Sequence, residues 1–387
     1  MIDLLQHPQH LKILKWLDLC ERLKAFVLRR NRGRPQADQN LADFYARVWQ
    51  DAAARVGATI EPLGCGVFEI RRGQAWTRVH QNCSAIDDLA THVIVRTKPV
   101  IYRLLTQHGL PTPRHLDFTL EELNKAAAFL ESVGRECVVK PASDTGGGLG
   151  VTTNIRQPWH LARAAWAAGK HGGSVVVEEQ IEGDNYRLLY LDGKLIDAVV
   201  RKPPTVIGDG KSTVESLVQA ANTSRLEQGP QISHGLLTID QDMQNTLARH
   251  GLTLASVPPA GATVTLKTAI NENRGADNVS AMHLLCDAVI AEGSQAAQIA
   301  GVRLAGVDII TRNPGVSLAE AGGVILEVNS PPGYYWHYHQ QDGPFPVAVH
   351  VLESLLGNSQ SNGLAKTHLD VTVKNSHLSG AFYDKVV

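Results

Sequence analysis

The sequence predicts a mixed α/β protein. Three observations carry that prediction. Short β-branched runs alternate with capped helical patterns over most of the chain. A glycine cluster separates two such runs in residues 138–155, "VVKPASDTGGGLGVTTNI". Further on, "GVDII" and "GGVILEVNSPPG" read as strands that each carry a carboxylate among apolar residues.

A chain of 387 residues can hold two or three domains with sizeable cores. A net charge of -1 gives no global attraction to nucleic acid or to an anionic membrane. Cys20, Cys65, Cys83, Cys137 and Cys286 are scattered without metal-like spacing, which suits reduced thiols in a cytoplasmic protein. No uncharged run reaches the roughly 18 residues of a membrane span.

Taken in order, residues 11–27 place Leu11, Leu14, Trp16, Leu19, Leu23, Phe26 and Val27 at helical spacing, followed by arginines. Such a stripe predicts a helix packed on its own domain or on a partner subunit; a membrane-surface helix is the alternative. Asp18, Glu21 and Lys15 interrupt it and argue against a signal peptide. "VFEIRRGQAWTRV" reads as a hairpin. A short helix opens after Thr97, with Pro99 in its first turn, and stops at Gly109 and Pro111. "TLEELNKAAAFLESVG" carries a capping box, Thr119 with Glu122, and a terminal Gly134. "GNSQSNG" reads as a linker, and "HLDVTVKN" as a strand beyond it.

The glycine cluster follows Lys140 and leads into "VTTNI", giving strand, loop, strand. A Walker A loop and a dinucleotide fingerprint both need a helix after the glycines, so neither fits. Gly146, Gly147, Gly148 and Gly150 can close backbone N–H groups over phosphate oxygens; taken alone, the cluster is equally a hairpin tip. "GDGKST" imitates the end of a Walker A motif, but the leading glycine position, 205, is Thr. Near the other end, Val324, Leu326 and Val328 alternate with Glu327 and Asn329. If the two strands pair, Asp308 joins Glu327 and Asn329 in a hard oxygen cluster suited to magnesium, with solvated edge residues as the bland alternative.

Lys98 at a helix start, "VVKPASDTGGGLGV", "VVVEEQIEGDNYRLL", "GDGKST", "NENRGAD", "GVDII" and "EVNSPPG" occur in the order of the ATP-grasp ligases. The stretch from about 93 to 357 is most similar to the ATP-grasp module of cyanophycin synthetases, and not to their Mur-ligase-like half. The resemblance implies an ATP-grasp fold with an N-terminal α/β domain (1–92), a central lid-bearing subdomain (93–180) and a C-terminal metal-binding subdomain (181–357). An extension (358–387) follows. It implies a cytoplasmic, ADP-forming carboxylate–amine ligase that uses ATP with magnesium or manganese and works through an acyl phosphate. Its partners would be a small acid and a small amine, in a homodimer or tetramer. Two other readings are an ATP-dependent C–N ligase acting on an enol or ketone oxygen, and a non-ligating ATP sensor.

Residue by residue, the resemblance makes Lys98 and Lys140 phosphate ligands, with Gly146, Gly147 and Gly148 in the lid. Glu178 and Gln180 fall in the adenine hinge, and Asn185 stands where relatives often carry an acidic ribose ligand. Arg187 and Arg201 would face the transferred phosphate and the acyl group. Asn271 and Arg274 match an acyl-phosphate loop of lysine-biosynthesis ATP-grasp ligases, although Ala276 replaces the second glycine. Asp308, Glu327 and Asn329 would hold the metal. Tyr335 and Trp336 replace an arginine and a smaller residue of cyanophycin synthetases. That departure implies a less charged or planar partner, with His337 positioning the amine or simply packing.

Overall fold

The computed structural model describes residues 34–143, 148–227, 236–270 and 278–357. The helix expected over 11–27, Gly146 and Gly147, the loop with Asn271 and Arg274, most of the linker and the strand at 368–375 lie outside the described residues.

Helix α1 (Arg34–Arg55) turns Phe44, Tyr45, Val48, Trp49, Ala52 and Ala53 inward at helical spacing. A meander follows: β1 (Thr59–Gly64), β2 (Val67–Arg72), β3 (Ala75–His80) and β4 (Cys83–Ser84), with β2–β3 the expected hairpin. Next come α2 (Leu89–Arg96) and α3 (Lys98–Gln107). Thr97 stands between them, and its hydroxyl donates back to the Val93 carbonyl at 2.9 Å. It therefore makes no side-chain cap on α3; closing α2 uses the group that capping would need.

The central unit runs β5 (His115–Thr119), α4 (Leu123–Val133), β6 (Cys137–Pro141), β7 (Thr152–Ile155), α5 (Pro158–Gly169) and β8 (Ser174–Glu179). The Thr119–Glu122 capping box forms on a 3₁₀ turn ahead of α4, and Gly134 ends α4 with φ +68°. Its sheet has the order β5-β8-β6-β7, with β6 and β7 antiparallel on either side of the glycine loop.

Strands β9 (Asp184–Leu191) and β10 (Lys194–Arg201) form a hairpin. A separate module follows, which the sequence pattern did not reveal: β11 (Thr205–Ile207), α6 (Val214–Glu227), α7 (Gln241–Arg249) and β12 (Thr263–Thr265) around their own apolar cluster. Here "GDGKST" is a turn in which Asp209 Oδ1 accepts from the backbone N–H groups of Lys211 and Ser212. Asp242 of α7 grips β7, accepting from Thr153 N at 2.7 Å and Thr153 Oγ1 at 2.6 Å. The chain returns through β13 (Val279–Ser280), α8 (Asp287–Ile299), β14 (Leu304–Thr311), α9 (Leu318–Ala321), β15 (Val324–Asn329), α10 (Tyr335–Tyr338) and α11 (Val347–Gly357).

The order β13-β10-β9-β14-β15 makes a five-stranded antiparallel sheet. One face is apolar: Tyr186, Leu188, Tyr190, Ala198, Val200, Val307 and Ile309 bury against Ile101 and Leu105 of α3 and Val289 and Ala296 of α8. Each such Leu or Ile contributes about 1.5–3 kcal/mol when fully buried. The opposite face packs Leu189 and Leu304 against α1, α11 and the meander. One core thus joins α1 and the meander to α11. Among the described residues no helix is long and apolar enough to cross a membrane.

Candidate active site

The register of the five-stranded sheet assembles the site. Val199 pairs with Arg187, Arg187 with Asp308, and Asp308 with Glu327, so one cross-strand row holds two carboxylates and an arginine. Asp197, Leu189, Gly306 and Asn329 form the next row, and Arg201 pairs with Asn185 beyond the first. Residues two apart share a face, so all of these project from the side opposite the α3–α8 core. A bulge at Asp308/Ile309 takes Leu326 out of the ladder. Ile325 therefore joins Val328 in the core, where simple alternation expects Leu326.

Asp308 lies between two guanidinium groups. Arg187 donates to it through Nε and, at 3.0 Å, through Nη2, while Arg201 Nη2 lies 2.8 Å from Oδ2. All three side chains are at most 6% exposed. Burial works to raise the Asp308 pKa, but Arg187 and Arg201 overcome it and hold the carboxyl below its usual range. Burial pulls Arg201 down, whereas Asp308 more than offsets burial at Arg187. Asn185 Oδ1 accepts from Arg201 Nε at 2.9 Å and fixes its plane. Two guanidiniums thus share one carboxylate, and Arg187 Nη1 is buried without a hydrogen-bond partner.

Asn329 Nδ2 lies 3.4 Å from both Asp308 Oδ2 and Glu327 Oε2, so the three expected metal-binding residues converge. Rotating the amide would add its oxygen to the two carboxylates, a hard donor set that fits magnesium. Lys98 Nζ lies 3.5 Å from Glu327 Oε1.

Lys140 Nζ is held by Glu178 at 2.7 Å and by the Tyr102 hydroxyl at 2.8 Å, two of the three donors an ammonium carries. The Tyr102 hydroxyl lies 2.7 Å from Glu178 Oε2 and 3.0 Å from the Leu326 carbonyl, linking the central sheet to β15. Burial, and then Glu178, push its pKa well up, so it remains a donor. Gln180 is tied to β7: its Oε1 accepts from Asn154 N at 2.7 Å. Gly148 and Gly150 turn the end of the glycine loop, each with φ +76°.

The aromatic run divides. Tyr334 is core, edge-on to Tyr45 and Trp49 with centroids 5.8 Å away. Trp336 lies under Arg201, 5.4 Å from guanidinium carbon to ring centroid, and Tyr335 leans on it at 4.4 Å. His337 is fully buried, its Nδ1 2.6 Å from Asp197 Oδ2.

Sequence reasoning missed Tyr102, Asp197, Gly306 and Asn82. Tyr102 and Asp197 had no motif to mark them. A Cβ on Gly306 would stand 2.9 Å from Arg187 Nη1 and 2.9 Å from Pro332 Cβ, so only glycine leaves that arginine its place. Asn82 Nδ2 reaches the Pro331 and Pro332 carbonyls at 3.1 Å each, orienting the loop that delivers α10. The "SPPG" signal after Asn329 could have pointed to a held loop, but not to its holder.

No family model matches the chain. It is 34% identical over 274 residues to a cyanophycin synthetase of Trichormus variabilis, covering 68% of this chain and 29% of that protein. It is 31% identical over 324 residues to a cyanophycin synthetase of Synechocystis, covering 81% of this chain and 35% of the relative. The chain thus spans about a third of the length of these curated relatives. A bifunctional glutathione synthetase structure from Pasteurella multocida overlaps 78% of this chain and 42% of its own, at 23% identity and TM-score 0.49. With its motifs in family order and these sequence relatives, the chain belongs to the ATP-grasp ligase superfamily.

Proposed function

We propose that the protein is an ATP-dependent carboxylate–amine ligase that joins a small acid to a small amine through an acyl phosphate, releasing ADP and phosphate. The observation that carries this reading is the buried Arg187–Asp308–Arg201 group beside Glu327 and Asn329. Two cations share one anion there, and an arginine donor is left over. A buried excess of positive charge is costly unless an anion completes it, and the transferred phosphoryl group or the acyl carboxylate is such an anion.

In this reading Asp308, Glu327 and Asn329 hold magnesium, which when bound would offset charge on the nucleotide phosphates. Lys98 and the remaining donor of Lys140 take phosphate oxygens as point charges. Arg187 and Arg201, pre-oriented by Asp308 and Asn185, stabilise charge on the transferring oxygens without reorganising. The glycine loop closes over the phosphates and excludes water from the acyl phosphate. Trp336 and Tyr335 line the acyl side, which favours a discrete product over an extended polyaspartate.

The test is a screen for ADP release over pairs of amino acids and small carboxylic acids, with mass spectrometry of the products. Release that needs both co-substrates, with an amide as product, supports the reading. Release that needs neither, or a product without an amide bond, overturns it.

A further inference from the structure

Asp197 and His337 form a buried pair that the proposed phosphoryl chemistry does not use. Asp197 projects from β10 in the row beside Arg187 and Asp308, and α10 lays His337 over it at 2.6 Å. A carboxylate only accepts hydrogen bonds, so the proton between them sits on His337 Nδ1. Gln340 Nε2 also donates to Asp197 Oδ2, at 3.4 Å. In the neutral ring the Nε2 lone pair faces outward from this pair, and Nε2 is buried without a hydrogen-bond partner. Burial drives the imidazole toward the neutral form, Asp197 opposes that, and Arg187 and Arg201, facing it from the sheet, reinforce it.

A merely structural histidine held this way would leave a buried acceptor unsatisfied, which native interiors avoid. The same three-part logic, carboxylate to Nδ1–H with Nε2 open, is how a general base is oriented. A donor is therefore wanted at Nε2, on the side of the sheet where the arginines await an anion.

We propose, resting on the ligase reading, that His337 Nε2 is the general base for the amine, with Asp197 as its positioning residue. As the amine nitrogen attacks the acyl-phosphate carbonyl carbon, the C–N bond forms and the nitrogen's proton passes to Nε2. The tetrahedral intermediate then expels phosphate, the C–O bond breaking with its electron pair on the phosphate oxygen. No oxidant or reductant is needed.

The test separates the two half-reactions. Each amino acid and small carboxylic acid of that screen is supplied as the carboxylate with ATP and magnesium, and either an amino acid or hydroxylamine as nucleophile. Hydroxylamine attacks acyl phosphates without help from a base. His337→Asn keeps a donor toward Asp197 but removes Nε2, and it should lower the ratio of amide to hydroxamate by at least about 100-fold. Asp197→Asn should do the same by favouring the wrong tautomer. A ratio unchanged in both variants overturns the base and leaves the ligase reading standing. If the wild type forms neither product from any acid, the ligase reading itself falls, and the base with it. Independently of any substrate, ¹⁵N NMR of the histidine rings should show His337 neutral with its proton on Nδ1 at pH 7; an Nε2–H tautomer or an imidazolium overturns the proposal.

Discussion

Asp308→Asn keeps the shape of the side chain and removes the one carboxylate, among the described residues, that bridges Arg187 and Arg201. The variant leaves two guanidiniums facing each other in a site where all three side chains are at most 6% exposed. Removing one member of such a buried ionic group costs about 3–5 kcal/mol, because the cost is dominated by charge left uncompensated. The amide oxygen can still accept one N–H, which puts the expectation near the lower end, about 3 kcal/mol. Denaturant unfolding followed by Trp fluorescence measures this, with Trp336 reporting locally because it lies beneath Arg201. The acid dependence checks the same origin. Asp308 has a depressed pKa in the folded state. Its contribution is therefore complete above about pH 4, the ordinary carboxylate value, and is lost as pH falls through the lower native value. That part of the acid limb should be missing in the variant. Inorganic phosphate should restabilise Asp308→Asn more than wild type, by supplying the lost negative charge. A loss below about 1 kcal/mol, with an unchanged acid limb, would refute the reasoning that this carboxylate balances both arginines.

Glu327→Gln should leave unfolding near wild type, since the carboxylate is partly exposed, while lowering turnover by at least about 100-fold through loss of metal charge; steady-state ADP release decides it. Gly306→Ala should displace Arg187, costing about 1–3 kcal/mol in denaturant unfolding and at least about tenfold in turnover. Full activity would mean that Arg187 can act from another position. Tyr102→Phe removes the hydroxyl shared by Lys140, Glu178 and Leu326, and should raise the KM for ATP by about 10-fold or more with a smaller change in kcat, checked by ATP titration.

Local rules made much of this protein legible from its chain. The β2–β3 hairpin, the Thr119–Glu122 box, the αL stop at Gly134 and the strand–loop–strand about the glycines all depend on neighbours within a few residues. The β14–β15 pairing was legible too, because both strands carry dense apolar runs around single carboxylates. Register and bulges were not. Leu326 left the ladder for reasons set by β14 and Tyr102, and no alternation within β15 encodes that. Nor could spacing show that Asn185 would hold Arg201, or that Arg187 and Arg201 would share Asp308. The charge balance of the site is a sum over three strands, and it exists only once the sheet brings them within hydrogen-bond reach. Asp197 and His337 stand 140 residues apart in the chain, and their pairing follows from α10 folding back over β10. The chain determined which chemical groups were present and which short segments they stood on; tertiary packing decided which group neutralised which, and which lone pair was left open.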